Sequence, residues 1–322
     1  MDASTLEPRR FTFTVFTPTF NRGRVLHRVF DSLQAQTFRD FEWLLVDNAS
    51  TDDTPELIER WRREATFEIR YIRNETNIGR QGSWLKAIAE ARGDLFTEIR
   101  SADELVPNAL ERLKSHWDSI PEPDRAHYSA VSALAMDEHG RIIGSKFPTD
   151  VFDSDSNETR YRYRIRGDKW GFQRTDVLRQ QQIPRIEGYT GAIAESIVWR
   201  AIGRQYRTRY VNEPLRIYWQ DQPPGLTRPV TGWVNAPGRV LEAEDRLNND
   251  MRWFTVAPLT FYRDAVACVC SGLHTGRSLM DQVRTLRRPI ARLLWLAAIV
   301  PGVGFYAVQR YAPPLGRRLP SP

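Results

Sequence analysis

Near its start the chain twice runs from an apolar stretch into a turn crowded with hydrogen-bonding groups. Phe11–Phe16 leads into Thr17-Pro18-Thr19-Phe20-Asn21-Arg22, and Trp43–Val46 into Asp47-Asn48-Ala49-Ser50-Thr51-Asp52-Asp53-Thr54. Hydroxyls, amides, a carboxylate and a guanidinium so placed can hold a polar ligand, and arginine suits phosphate. If both runs are strands of an open α/β sheet, the turns share one crevice, because ligands bind outside the carboxyl ends of such strands. A structural reading competes at the second turn: Asp47 begins a good Asx-turn, and Asp52 and Thr54 are placed as helix caps.

Further along, Arg100-Ser101-Ala102-Asp103-Glu104 follows the apolar run Leu95–Ile99. Asp103 and Glu104 either serve a ligand or cap a helix beginning at Pro107. Glu187 stands in Ile186-Glu187-Gly188-Tyr189. Glu195 precedes Ser196-Ile197-Val198-Trp199, at a helix start where the macrodipole alone would favour an acid. Lys169 and Trp170 close an arginine-rich stretch, and an aromatic there is as readily core as ligand platform.

These residues need elements to position them. Apolar runs at Phe11–Phe16, Trp43–Val46, Ile69–Ile72, Leu95–Ile99 and Tyr128–Met136 predict strands. Between them apolar residues recur at helical spacing: Val25, Val29 and Leu33, then Leu57 and Trp61, then Leu85 and Ile88. The alternation predicts an α/β fold, a mostly parallel sheet flanked by helices. Asn21 is the expected N-cap of the first helix. Polar Phe147–Arg166 reads as a mobile loop able to close over a crevice. Helices at Thr175–Gln181 and Ala194–Tyr206 and strands at Thr208–Val211 and Leu215–Trp219 follow, and Pro223-Pro224-Gly225 marks a boundary. Residues 1–225 are expected to form one domain, with halves at 10–115 and 116–225, and residues 226–322 a helical C-terminal extension.

The two turn motifs resemble a family-2 glycosyltransferase, as do Asn77-Ile78-Gly79, Arg92-Gly93-Asp94 and Ser101–Pro107 followed by Asn108-Ala109-Leu110-Glu111. The likeness is tightest over residues 10–115 and looser onward to residue 220. It implies a GT-A fold that transfers a sugar, with inversion, from a nucleoside diphosphate sugar, UDP most commonly, to an acceptor hydroxyl. By this resemblance Thr17, Pro18, Thr19, Asp47 and Asn48 contact base and ribose. Arg22, Asn77, Arg80, Ser101 and Ala102 complete the nucleotide site, and Lys169 and Trp170 line the acceptor. Glu195 is the implied general base, with Glu187 the second candidate. Relatives bind a divalent cation, Mn or Mg, through Asp-x-Asp. Here that motif reads Ser101-Ala102-Asp103, leaving Asp103 as metal ligand, or, shifted by one residue, Arg100 and Ala102 stand at the acid positions. Arg100 could then stabilise the diphosphate directly. The altered motif motivates a rival, a catalytically silent nucleotide-sugar-binding homologue. The basic tail motivates another, a membrane-surface scaffold.

The 322 residues carry a net charge of +6, with 41% hydrophobic and 27% charged residues, which excludes global disorder. No zinc-finger spacing or RNA-binding aromatic signature occurs, so nucleic acid is not an expected partner. Cys268 and Cys270 are too close to staple a fold and read as buried thiols in a reducing cytosol. No apolar leader opens the sequence, which places the expected location in the cytoplasm. Apolar Leu293–Val308, with arginines on both flanks and Trp295 and Tyr306, is read across 286–318 either as an anchor on the inner membrane face or as a helix docked on the protein's own body. A saccharide, a lipid-linked saccharide or a small molecule each remains open as acceptor.

Overall fold

A computed structural model of the chain describes residues 11–183, 195–221 and 235–311. β1 (Phe11–Thr19) and β2 (Phe41–Asp47) are rich in aromatic and β-branched residues, which fit a pleated surface, and β2 is buried along its whole length. Strands of this kind need helices on both faces. α1 (Gly23–Gln34), α2 (Thr54–Glu64) and α3 (Gly79–Glu90) supply them, alternating with β3 (Glu68–Arg73) and β4 (Gly93–Glu98). The sheet runs β3-β2-β1-β4 with every pairing parallel.

Next come β5 (Glu104–Leu105), α4 (Ala109–Asp118), β6 (Tyr128–Asp137), β7 (Val151–Ser154), α5 (Ser156–Tyr161), β8 (Lys169–Arg174), α6 (Thr175–Arg179), α7 (Ser196–Gly203) and β9 (Arg207–Tyr218). They continue the sheet as β4-β8-β6-β9-β5, with β7 also paired to β9. Only β6–β9 is parallel in this half. The fold is thus α/β, parallel through its first four strands and mixed beyond. Phe13, Val15, Trp43 and Leu45 of the sheet pack against Leu26, Val29 and Phe30 of α1 and Ile58 and Trp61 of α2. The Phe30 and Trp61 rings stack with centroids 4.8 Å apart. Each such burial contributes about 1.5–3 kcal/mol, enough to fix where β1 and β2 end.

Four expectations need correction. Asn21 does not cap α1: its backbone is left-handed at φ 52°, and its amide oxygen instead accepts the Thr51 N–H at 2.8 Å. Phe147–Arg166 is not a loop throughout, because Arg209 grips Asp153 with two hydrogen bonds of 2.9 and 2.7 Å where β7 meets β9. Asp155 then caps α5, accepting from the Asn157 and Glu158 N–H groups at 2.8 and 2.9 Å. The two strands expected between Thr208 and Trp219 are one, β9, whose register slips at Val211–Pro214. Its polar interruption is held from the side, Asn212 by the Phe147 and Thr149 backbone and Glu213 by Arg112 and His116. Asp103 and Glu104 do not cap a helix at Pro107, since α4 begins at Ala109 after Asn108.

The chain divides into two compact units, Met1–Gln182 with Val198–Pro223, and Ile183–Ile197 with Pro224–Pro322. In the second, α8 (Ala236–Asn249), α9 (Pro258–His274), α10 (Leu279–Thr285), α11 (Pro289–Ala297) and α12 (Ile299–Tyr311) share a core that includes Leu247, Ala265, Cys268, Val269 and Leu286. Burial pushes the Cys268 thiol up to about 12, so it packs as an inert apolar group. Trp295, read either as an interfacial anchor or as part of a helix docked on the protein's own body, is a core residue here at 2% exposure.

Candidate functional site

At the carboxyl ends of β1 and β2 the residues Thr19 and Asp47 are register partners on one face of the sheet. Each strand then turns through a left-handed residue that is not glycine, Asn21 and Ala49, the latter at φ 63°. Such conformations persist only where the surroundings enforce them, and they gather at ligand clamps. The two turns hold each other: the Asn21 N–H donates to Ser50 Oγ at 2.9 Å, against the Thr51 contact already described. Asp52 spans two helix starts, accepting Gly23 N–H of α1 and Thr54 N–H of α2, both at 3.1 Å. Partial burial raises its pKa, but these bonds and that from the Thr54 hydroxyl outweigh it and hold the carboxyl below its usual range.

Asp47 is fully buried. Its Oδ1 accepts the Ser50 N–H at 3.0 Å and the Ser50 hydroxyl at 2.5 Å, and its Oδ2 accepts the Tyr71 hydroxyl at 2.7 Å. Burial and that bond together push the Tyr71 phenol well up. Asn48 Oδ1 accepts from Asn74 and Ser83, each at 3.0 Å. The Thr17 hydroxyl accepts the Trp43 indole N–H at 2.9 Å, so it belongs to the fold's own bonding. Thr19 differs: its hydroxyl is buried and has no partner, which costs about 1–3 kcal/mol and is typical of a group kept for a ligand.

The second cluster lies beyond the end of β4. The chain turns through Arg100, Ser101 and Ala102, closed by the Asp103 N–H donating to the Arg100 carbonyl at 3.0 Å. Asp103 is 2% exposed, and its Oδ2 sits 3.6 Å from Nε of Arg216 on β9, neither atom having a hydrogen-bond partner. Burial pushes the Asp103 carboxyl up to about 6 despite the pull of Arg216 and Arg100. Arg216 donates instead to Asp168 at 2.5 Å, and Arg100 stands 3.4 Å from that carboxylate. Burial raises Asp168 as well, but here the two guanidiniums prevail and hold it below the usual carboxylate range. Both guanidiniums lie over the Tyr218 ring, 5.6 and 6.0 Å from its centroid.

Toward a divalent cation these residues supply one carboxylate, Asp103, and the other ligands would come from phosphate oxygens and water. Asp103 faces a guanidinium, Arg100 and Ala102 stand at the two acid positions of the shifted motif, and no group of three His, Cys, Asp or Glu gathers among the described residues. Positive charge at the end of β4 comes from arginine.

Arg22 ends the β1 turn, half-buried, its N–H donating to Thr54 Oγ1 at 3.3 Å. Asn77 accepts the Gly79 N–H at 2.9 Å, where Gly79 takes φ 72°, and Arg80 pairs with Glu98 at 3.0 Å. Lys169 donates to the Arg166 carbonyl at 2.9 Å. Trp170 cannot stack on a sugar as expected, because it is a core residue, 3% exposed, with its indole N–H on the Glu98 carbonyl at 2.8 Å. Glu195 lies half-buried in the turn ahead of α7, and Glu187 lies outside the described residues. Sequence reading missed Tyr71, Asp168 and Arg216. Arg216 and Asp168 are 48 positions apart and meet only through the sheet, so no local spacing announces them.

The chain is similar in sequence and in fold to known proteins. An abequosyltransferase of Salmonella typhimurium is 36% identical over 104 residues, 32% of this chain and 31% of that one. A GalNAc(5)-diNAcBac-PP-undecaprenol beta-1,3-glucosyltransferase of Campylobacter jejuni is 32% identical over 249 residues, 74% of this chain and 76% of that one. The fold matches the crystal structure of S. aureus TarS 1–349 in complex with UDP-GlcNAc at a TM-score of 0.65 and 18% identity, covering 93% of this chain and 91% of that one. The family model described as glycosyl transferase family 2 matches residues 14–190, a span that contains most of β1, all of β2 to β4, both turns, and Arg100, Asp103 and Asp168 of the second cluster. With that match and the likeness to the Campylobacter enzyme, the chain belongs to glycosyl transferase family 2.

Proposed function

We propose that the chain transfers a sugar from a UDP-sugar to an acceptor hydroxyl with inversion at the anomeric carbon. The observation that carries this reading is the pairing, along one sheet, of a polar β1–β2 end with a cationic β4 end. A nucleoside at the first and a diphosphate at the second are matched in chemistry. The Thr19 hydroxyl gains its missing partner from the nucleoside. A base ring N–H takes the donor position that Tyr71 fills on Asp47, exchanging one hydrogen bond for another. Arg100, with Arg216 behind it, meets the charge that grows on the departing diphosphate, and Arg22 and Arg80 are assigned to the same nucleotide. Asn48, Asn77, Pro18, Ser101 and Ala102 shape the pocket through backbone and amide groups.

Glu195 is assigned as the general base that takes the acceptor proton while the hydroxyl oxygen attacks the anomeric carbon in line. Glu187 and Lys169 are assigned to positioning the acceptor. A lipid-linked saccharide is the favoured acceptor, supported by the undecaprenol-linked substrate in the name of the Campylobacter relative. The guanidinium facing Asp103 equally supports a nucleotide-sugar-binding homologue without turnover.

Turnover separates the two readings. Nucleoside diphosphate release is measured over a panel of UDP-sugars and acceptors, with manganese and in EDTA. Release from one donor, and a fall in kcat of about 10²–10⁴-fold in Glu195→Gln with nucleotide affinity retained, is the expected result. Tight nucleotide-sugar binding with no release from any donor would establish the silent homologue. Loss of affinity together with activity in Glu195→Gln would remove Glu195 as the base.

A further inference from the structure

α11 and α12 are two short helices joined at a 52° bend, and no single helix among the described residues is long and apolar enough to cross a membrane. Their inward stripe is fixed. Ala291, Trp295, Ala298 and Gly302 are buried, and a Cβ on Gly302 would fall 2.6 Å from the Val269 side chain of α9, so α12 lies directly on its neighbour. The outward face should then be polar if water were its only partner. Instead Leu293, Leu296, Val300, Phe305 and Val308 stand out at 54–82% exposure.

The charges along this stretch of chain have one sign. From Gln282 to Tyr311 the sequence has no Asp or Glu, while Arg284, Arg287, Arg288, Arg292 and Arg310 are all exposed. A second copy of the same face would bring like charges together. An anionic surface would not.

We propose that α11 and α12 form a platform that lies on an anionic lipid bilayer, the apolar face entering the acyl boundary and the arginines meeting phosphate headgroups. Because the inward stripe is packed on α9, the pair lies in the interface and does not insert as a span. The proposal does not rest on sugar transfer, and its test needs no turnover.

The full chain is sedimented with phosphatidylcholine vesicles prepared with and without phosphatidylglycerol. Binding is expected only with phosphatidylglycerol, weakening at high salt. It is expected to fall at least about tenfold in Leu293→Asp/Val300→Asp/Phe305→Asp, whose side chains face outward and leave the thermal midpoint unchanged. Should that variant unfold, Arg287→Gln/Arg288→Gln, which removes only exposed charge, is expected to weaken binding severalfold. Equal sedimentation with both vesicle types, or unchanged binding in the folded variants, overturns the proposal. So does a dimer in light scattering that the triple variant converts to monomer, since the face would then belong to a second copy.

Discussion

The ends of β2 and β4 both bury an acid, and they treat it in opposite ways. Asp47 at β2 receives three hydrogen bonds, two from Ser50 and one from Tyr71. Asp103 at β4 has an oxygen with no donor, opposite a guanidinium nitrogen with no acceptor, and burial lifts its carboxyl to about 6. The first acid is part of the network that holds its turn in shape. The second is a cost to the fold, and groups retained at such a cost gather at functional sites. One end is therefore a preformed frame, and the other a charged gap whose pairing is completed by a ligand.

The largest expected effect breaks the frame. Asp47→Ala leaves two buried donors of Ser50 and the half-buried Tyr71 hydroxyl without their acceptor and should lower stability by about 2–4 kcal/mol, read from urea unfolding at neutral pH. A loss too small to resolve would mean that Asp47 is no more integral than Asp103.

The next effect has the opposite sign. Because folding raises the Asp103 pKa above its ordinary 3.8, the folded chain binds this proton more tightly than the unfolded chain. Stability from the group is full below about pH 4 and is lost as pH rises through about 6. Asp103→Asn cannot titrate, so it should gain on the parent chain between acid and neutral pH, by on the order of 1–3 kcal/mol. Parallel stability curves for the two proteins would show that Asp103 is as well satisfied as Asp47.

The smallest effect sharpens the contrast within β1. Thr17→Val strands the Trp43 indole N–H and should cost about 1–2 kcal/mol, whereas Thr19→Val removes a hydroxyl that has no partner and should be neutral or stabilising. Chemical denaturation of both variants checks the pair, and equal losses would remove Thr19 as a ligand group.

Much of the frame was legible in the sequence because its signals are local. Apolar runs ending in Thr-Pro-Thr and Asp-Asn-Ala-Ser mark strands and turns without reference to the rest of the chain, and β1 to β4 lie where they predict, except that β1 runs on through Thr17-Pro18-Thr19, expected in the turn. The charged gap was legible only in half. Arg100 and Asp103 sit in one turn, but Arg216 arrives on β9, itself obscured because Asn212, Glu213 and Pro214 interrupt its apolar pattern while the backbone stays extended. Phe147–Arg166 looked like a loop because its polar side chains pair with one another and with β9. The Asp155-Ser156-Asn157-Glu158 cap was a readable helix signal in it. Trp170 and Trp295 show the limit of reading an aromatic by its neighbours: one follows Lys169, the other lies three residues after Arg292, and both are core.

The division of labour between the two strand ends is tested most directly by titrating uridine and UDP into the parent chain and Arg100→Met by calorimetry in EDTA. UDP binding is expected to weaken about tenfold in the variant while uridine binding is unchanged, because Arg100 meets only the diphosphate. Equal weakening of both ligands, or of neither, would contradict it.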